Sequence, residues 1–166
     1  MDVRPGYKQT AIGTIPEDWE VVTLGSLVEP DAPIRYGVVQ IGADTPNGIP
    51  IVPIKYIKEI GGAQLTKSSP IIEARFVGSR IAAGDVLISV KGTIGRVGIV
   101  PSGFKGNIAR EIARLRIEPE GCPEFVMHQL EGEHTQRRIN DAVVGTTRLE
   151  FSIAAVRKFE IAVPET

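Results

Sequence analysis

Apolar residues in this chain fall into short runs of two kinds, strand-like up to residue 117 and helix-like after residue 122. From 84 to 100, GDVLISVKGTIGRVGIV, two β-branched runs flank a glycine-rich tip, which predicts a β-hairpin with strands at 86–91 and 96–100. From 107 to 117 apolar and basic residues alternate. That period of two predicts a strand with Ile112, Leu115 and Ile117 turned inward and Arg114 and Arg116 outward. Residues 20–24 read as a short strand and 25–29 as a helical turn, with Trp19, Val21, Val22, Leu24 and Leu27 supplying the first core contacts. The apolar run IPIVPIKYI at 49–57 carries Pro50 and Pro53, which confines it to an edge strand or a strand end. Between these runs, 30–48 is rich in Pro, Gly and Asp and reads as a long loop with a short strand at 38–41; loops of that length tend to be functional. Residues 71–81 fit a helix or a strand and are read as a short helix.

Helical spacing takes over after residue 122. Pro123 suits a first helical position, Phe125, Met127 and Leu130 can bury, and Gly132 is a stop. Ile139 and Val143, four apart, mark a second helix over 135–144 that ends at Gly145. Ser152 caps a third, with Ile153, Val156 and Phe159 inward, and 161–163 reads as a closing strand. Strands first and helices after predict an α+β fold: a single domain with a twisted, mostly antiparallel β-sheet and hairpins, followed by a small helical cluster. Residues 1–14 read as a loose lead-in to a domain over 15–164.

Charge changes this picture. The chain has 166 residues and a net charge of −1, which by itself argues mildly against a polyanionic partner. The charge is unevenly spread. Residues 1–49 hold 3 Lys/Arg and 7 Asp/Glu, residues 50–116 hold 11 and 4, and residues 117–166 hold 5 and 9. A basic middle between acidic ends is the asymmetry of a phosphate-facing surface, or else of solvated strands that happen to carry lysine and arginine. The single Cys122 excludes an internal disulfide framework and a cysteine-rich zinc site. No apolar run is long enough for a membrane-spanning helix, and the first residues lack the apolar core of a secretory signal, so a reducing cytoplasm is the expected compartment.

Common catalytic signatures are missing. The Gly92, Gly95 and Gly98 series is followed by a β-branched strand, where a dinucleotide loop needs a helix. No phosphate-binding G-x-x-x-x-G-K-[ST] run, no D/E-x-K nuclease pair, no N/D-P-P-aromatic turn of an amino-methyltransferase and no glycine-flanked nucleophilic serine occurs. His128 and His134 read as surface polar residues.

Groups suited to DNA concentrate in loops instead. They are Arg35, Tyr36 and Gln40 in the first long loop, Lys55 and Lys67 on either side of Gly61-Gly62, and Lys91, Thr93 and Arg96 at the hairpin tip. Lys105, Asn107 and Arg110 follow in the next loop, and Thr146, Thr147 and Arg148 come after the second helix. Cations and hydroxyls suit phosphates, while Gln40 or Asn107 could pair with adenine and arginine with guanine.

Four stretches, in order, resemble one known family: IPEDWEVVTLGSLV (15–28), GDVLISVKGTIGRVGIVP (84–101), PEFVMHQLEG (123–132) with QRRI (136–139), and VGTTRLEFSIAAVRKFEIAVP (144–164). The chain resembles a target recognition domain of the type I restriction–modification specificity subunit over 15–164. The resemblance implies a non-catalytic module that reads one half of a split DNA site. By the same resemblance it needs no cofactor of its own: S-adenosylmethionine, ATP and magnesium belong to the modification and restriction subunits. It also casts the Gly92–Gly95 tip and the Thr146–Thr147 turn as scaffold, and leaves reading to loops around 35–48, 62–80 and 104–110. Two departures stand out. Arg148-Leu149-Glu150 replaces the family's frequent Gln-Pro-Asn. No spacer helix follows before Thr166, so the sequence is expected to be a lone recognition domain, whether a fragment, an engineered piece or an unusually short protein, that binds the modification subunit poorly. The alternative is a scaffold that docks a methyltransferase subunit without reading DNA itself.

Overall fold

A computed structural model of the chain describes residues 2–143 and 149–166. In order it contains β1 (Tyr7–Thr10), β2 (Gly13–Pro16), β3 (Trp19–Thr23), α1 (Leu24–Leu27), β4 (Arg35–Tyr36), β5 (Ile49–Val52), β6 (Lys67–Ser68) and α2 (Pro70–Glu73). Then come β7 (Val86–Ser89), β8 (Val97–Ile99), β9 (Asn107–Ile108), β10 (Ile112–Leu115), α3 (Pro123–Glu131), α4 (Glu133–Ala142), α5 (Ile153–Lys158) and β11 (Glu160–Pro164). A 3-10 segment, Ala74–Ser79, continues α2.

The α+β class and the single domain hold, and pairing is mostly antiparallel. The strands are divided over four small sheets rather than joined in one: β4-β10-β7-β8, β6-β5-β9, β11-β3 and β1-β2. Only the β5–β9 pair among the named strands is parallel. The central four-stranded sheet is covered on both faces. Val86, Ile88, Ala113, Leu115 and Ile117 pack on Val126 and Leu130 of α3, Ile139 of α4 and Val156 of α5. Leu87 and Ile112 face the other way, onto Val52, Ile57, Ile81, Val100 and Ile108. Such a sheet favours continuous apolar runs over alternation, which is why VLIS is buried at all four positions. Gly98 on β8 is forced by this packing: a Cβ there would lie 1.9 Å from the Ile57 carbonyl oxygen.

Two-sided burial also corrects the expectation for Arg114. It is 3% exposed, not turned to solvent. Its Nη1 donates to the carbonyls of Gly78 and Arg80, each at 2.9 Å, and its Nη2 to that of Pro33 at 3.1 Å; its buried Nε has no partner among the described residues. Burial pushes its pKa down from the ordinary arginine value. Arg116, half-buried, grips the buried Asp85 with two bonds of 2.9 and 2.8 Å.

Other expectations shift in detail. The lead-in is an ordered hairpin in residues 7–16. Thr10 Oγ1 donates to the Gly13 carbonyl (2.7 Å) and Thr14 Oγ1 to Gln9 Oε1 (2.7 Å), so polar turn bonds shape it instead of apolar periodicity. The strand expected at 38–41 falls at Arg35–Tyr36, with Val38 making one isolated bridge to Ala109. β5 is the middle strand of its sheet despite Pro50. Pairing with β9 begins at Ile51, so the missing N–H lies outside that ladder. The strand read over 107–117 is broken into β9 and β10. α3, α4, α5 and β11 lie close to their expected places, and Ser152 Oγ accepts from Ala155 N (3.1 Å) as the cap of α5. Gly145, the expected end of the second helix, lies outside the described residues. Among the described residues no helix is long and apolar enough to cross a membrane.

A polar knot fastens α2 and its 3-10 extension to the strands. Glu73, 1% exposed, accepts from Arg80 Nε and Nη2, both at 2.7 Å, and from Asn107 Nδ2 at 3.0 Å. These bonds hold the Glu73 carboxyl below its ordinary value, with Arg80 the main cause. A depressed carboxyl pKa stabilises the fold above the unfolded-state value of about 4.3, and that stability is lost as pH falls through the lower folded-state value. Wild type should therefore exceed Glu73→Gln in unfolding free energy at pH 7 and lose that advantage toward pH 3, measured by urea denaturation; a pH-independent difference would contradict this assignment.

Candidate functional site

The central sheet brings part of the expected set together at one end. Arg35 and Tyr36 pair with Arg114 and Ala113 of β10. The Lys91 ammonium, just past β7, sits 5.0 Å over the Tyr36 ring and 3.6 Å from Glu150. Arg110, in the β9–β10 turn, donates its backbone N–H to the Val38 carbonyl (3.1 Å) and lies 3.2 Å from Glu111 through Nε. Gly37 lets the first loop seat against that turn: a Cβ on it would fall 1.9 Å from the Ile108 carbonyl oxygen. Arg35, Tyr36 and Arg110 are exposed, and Gln40 is exposed farther along the same loop.

The hairpin tip beside Lys91 is held rigidly. Ser89 Oγ donates to the Thr93 carbonyl and accepts from Arg96 N (2.9 Å). Gln136 Nε2 bridges the tip's Gly95 carbonyl (2.8 Å) to the Leu130 carbonyl (2.7 Å), tying the hairpin to the junction of α3 and α4. Thr93 and Arg96 are exposed on this frame.

The remaining expectations divide. Lys55, Lys67 and Lys105 are exposed, but among the described residues no hydrogen bond, ion pair or cation–π contact of their side chains joins them to the Lys91 group. Lys55 lies 5.2 Å over Tyr56, and the residues beside Lys55 and Lys105, Ile54 and Phe104, pack on the opposite side of the sheet. Thr146, Thr147 and Arg148 lie outside the described residues. Asn107 must be withdrawn as a base reader. It is fully buried, its Oδ1 accepts from Ser79 Oγ (2.8 Å) and Ile108 N (2.9 Å), and its Nδ2 donates to Glu73 and to the Phe76 carbonyl (2.9 Å). His128 is exposed, and His134 Nε2 lies 2.7 Å from the Ile12 carbonyl, pinning the N-terminal hairpin to α4. Among the described residues no three His, Cys, Asp or Glu side chains converge on a metal position.

Sequence reasoning missed three members of this surface. Glu150 and Glu111 each face a cation, and Arg75 is exposed on the 3-10 turn. Glu150 had no sequence signal, because its pairing with Lys91 across 59 residues is visible only in the fold, whereas Glu111 directly follows its partner Arg110 in the chain. Arg75 was hidden in a segment whose secondary structure was ambiguous. Exposed ion pairs of this kind are worth about 0–1 kcal/mol, so a phosphate can displace either carboxylate.

A family profile described as "Type I restriction modification DNA specificity domain" matches residues 16–166. The EcoBI type I restriction enzyme specificity subunit of Escherichia coli is 38% identical over 116 residues, covering 69% of this chain and 24% of the relative. The crystal structure of the HsdS subunit from Thermoanaerobacter tengcongensis aligns with a TM-score of 0.61 at 18% identity, over 96% of this chain and 36% of that one. The S subunit of a type I restriction–modification system from M. genitalium aligns with a TM-score of 0.58 at 16% identity, over 99% and 36%. The two structural likenesses carry the fold alone. The chain spans about a quarter of the EcoBI subunit's length.

Replacing Asn107 with Ala should lower the unfolding free energy by about 2–4 kcal/mol, since it strips several buried hydrogen bonds. Lys105→Ala, two residues away on the surface, should cost less than about 0.5 kcal/mol. Urea denaturation of both decides whether Asn107 is an anchor.

Proposed function

The chain belongs to the family of type I restriction–modification DNA specificity domains, and from that premise we propose that it is a DNA sequence-recognition module reading one half of a bipartite site. The observation that carries the reading is the family match over nearly the whole chain, 16–166, and the cation cluster at one end of the central sheet supports it. Lys91, Arg96, Arg110 and Arg35 grip backbone phosphates, and Glu150 and Glu111 release their cations as phosphate arrives. Phosphate contacts of this kind set register and orientation without choosing bases.

The bonds of the hairpin tip fix the backbone that carries Lys91 and Arg96, so little backbone order remains to be gained there on binding. The domain does no chemistry itself. Methylation with S-adenosylmethionine and restriction driven by ATP with magnesium fall to the modification and restriction subunits of the assembly.

Fluorescence anisotropy on random duplex pools tests the reading. Binding should appear at about 50 mM salt and fall steeply with salt, with a log–log slope of about −3 to −4 for four phosphates. Arg96→Ala should weaken every sequence by a similar factor and flatten the slope by about 1. Folded protein that binds no duplex at low salt overturns the proposal; a loss confined to particular sequences would make Arg96 a base reader instead.

A further inference from the structure

A cleft of about 570 Å³ opens between residues 39–42 and α2 with its 3-10 extension, lined by Val39, Gln40, Ile41, Ile72, Arg75 and Phe76. Its floor is apolar: Ile41, Ile72 and Phe76 pack on the buried Val38, Ile51 and Ala109. Its rim is polar and open. Gln40 and Arg75 are exposed, and none of the ion pairs among the described residues includes Arg75. Val39 is 46% exposed beside Gln40, and Ile71, at 80%, stands next to the opposite wall.

Both walls are fixed from behind. Ser68 Oγ donates to the Ile41 carbonyl (2.8 Å), and Asp44 Oδ1 accepts from Lys67 N (2.8 Å), which fastens the first loop to β6. The second wall is fastened by the buried bonds among Glu73, Arg80, Ser79 and Asn107, and by Arg114 on the Gly78 and Arg80 carbonyls. The one carboxylate of residues 70–80, Glu73, is buried in that knot, so the outer face of this wall carries cations and apolar groups without a free acid. That combination fits duplex DNA: a cation for the phosphate field, apolar carbon for a thymine methyl, and a planar amide for adenine.

We propose that this cleft reads an A·T base pair through the major groove, an assignment that rests on the DNA-recognition reading above. Gln40 donates from Nε2 to adenine N7 and accepts at Oε1 from the adenine N6 amino group. Val39 meets the thymine methyl, and Arg75 holds the DNA against the rim. Gln40 and Val39 are thus specificity-determining residues, and Arg75 is a sequence-independent clamp.

The test uses a duplex enriched by this protein from a random pool, with each adenine in turn replaced by 7-deazaadenine and each thymine by deoxyuridine. At one adjacent position, 7-deazaadenine should weaken wild-type binding about tenfold, the equivalent of about 1.4 kcal/mol. Gln40→Ala should bind the unmodified duplex about as weakly and show no further 7-deaza penalty. Deoxyuridine opposite should weaken wild type about threefold and leave Val39→Ala unaffected. Arg75→Ala should weaken natural and substituted duplexes alike while keeping both penalties. All three side chains are exposed, and circular dichroism confirms that each variant is folded. Indifference of wild type to every substitution, or penalties that persist in Gln40→Ala, overturns the cleft while leaving DNA recognition intact. Absence of any duplex binding overturns both.

Discussion

Glu73 accepts hydrogen bonds from Arg80 and Asn107 beneath a surface turn, and Arg114 reaches up from β10 to the carbonyls of the same turn. This buried knot is the constraint on which the surface depends. Residues 70–80 form only one turn of α-helix and a kinked 3-10 segment, too short to hold a shape by local bonds alone. Polar anchors can fix such a segment where apolar packing would let it slide, because each buried bond is directional and costly to leave unmade. The same geometry explains a buried guanidinium with no carboxylate in direct contact: three carbonyl oxygens of the chain solvate it.

The central sheet imposes a second constraint. Helices cover one face and the segments around Ile57 and Ile108 cover the other. Among the described residues neither face of the central sheet is left open for a ligand, which leaves the strand ends and the loops between them for recognition. There the hairpin tip, the Arg35–Gln40 loop and the 70–80 turn are each pinned to the core by named bonds. The surface is then a set of fastened backbone segments, from which the exposed cations extend. Glu111 and Glu150 hold two of those cations, Arg110 and Lys91, in weak exposed pairs, and the surface keeps an excess of positive charge.

Much of this was legible in the sequence where local chemistry and tertiary demand agree. The hairpin at 84–100 combined β-branched runs with a glycine tip, and Ser152 opened a helix it does cap. The sequence reading went wrong where the fold overrules local pattern. Arg114 alternates with apolar neighbours, and alternation means exposure only if one sheet face is wet; here both are dry. Asn107 sits in a basic loop and looks like a base reader, but 34 residues away Glu73 fills its amide from inside. Arg75 lies in a stretch whose periodicity fits two structures, so its exposure could not be read. The N-terminal hairpin rests on threonine hydroxyl bonds in a tight turn, which leave no hydrophobic period.

On the proposed reading, DNA meets this domain over residues 35–42, 71–77, 90–96 and 110–111. Two-dimensional amide NMR during titration with an enriched duplex tests it most directly. Amides of those four segments should shift together and saturate at one stoichiometry, while those of the N-terminal hairpin and of Trp19 and Phe125, whose rings pack edge to face, stay in place. Shifts concentrated around Trp19, Phe125 and His134, with the four segments unmoved, would contradict this placement of DNA.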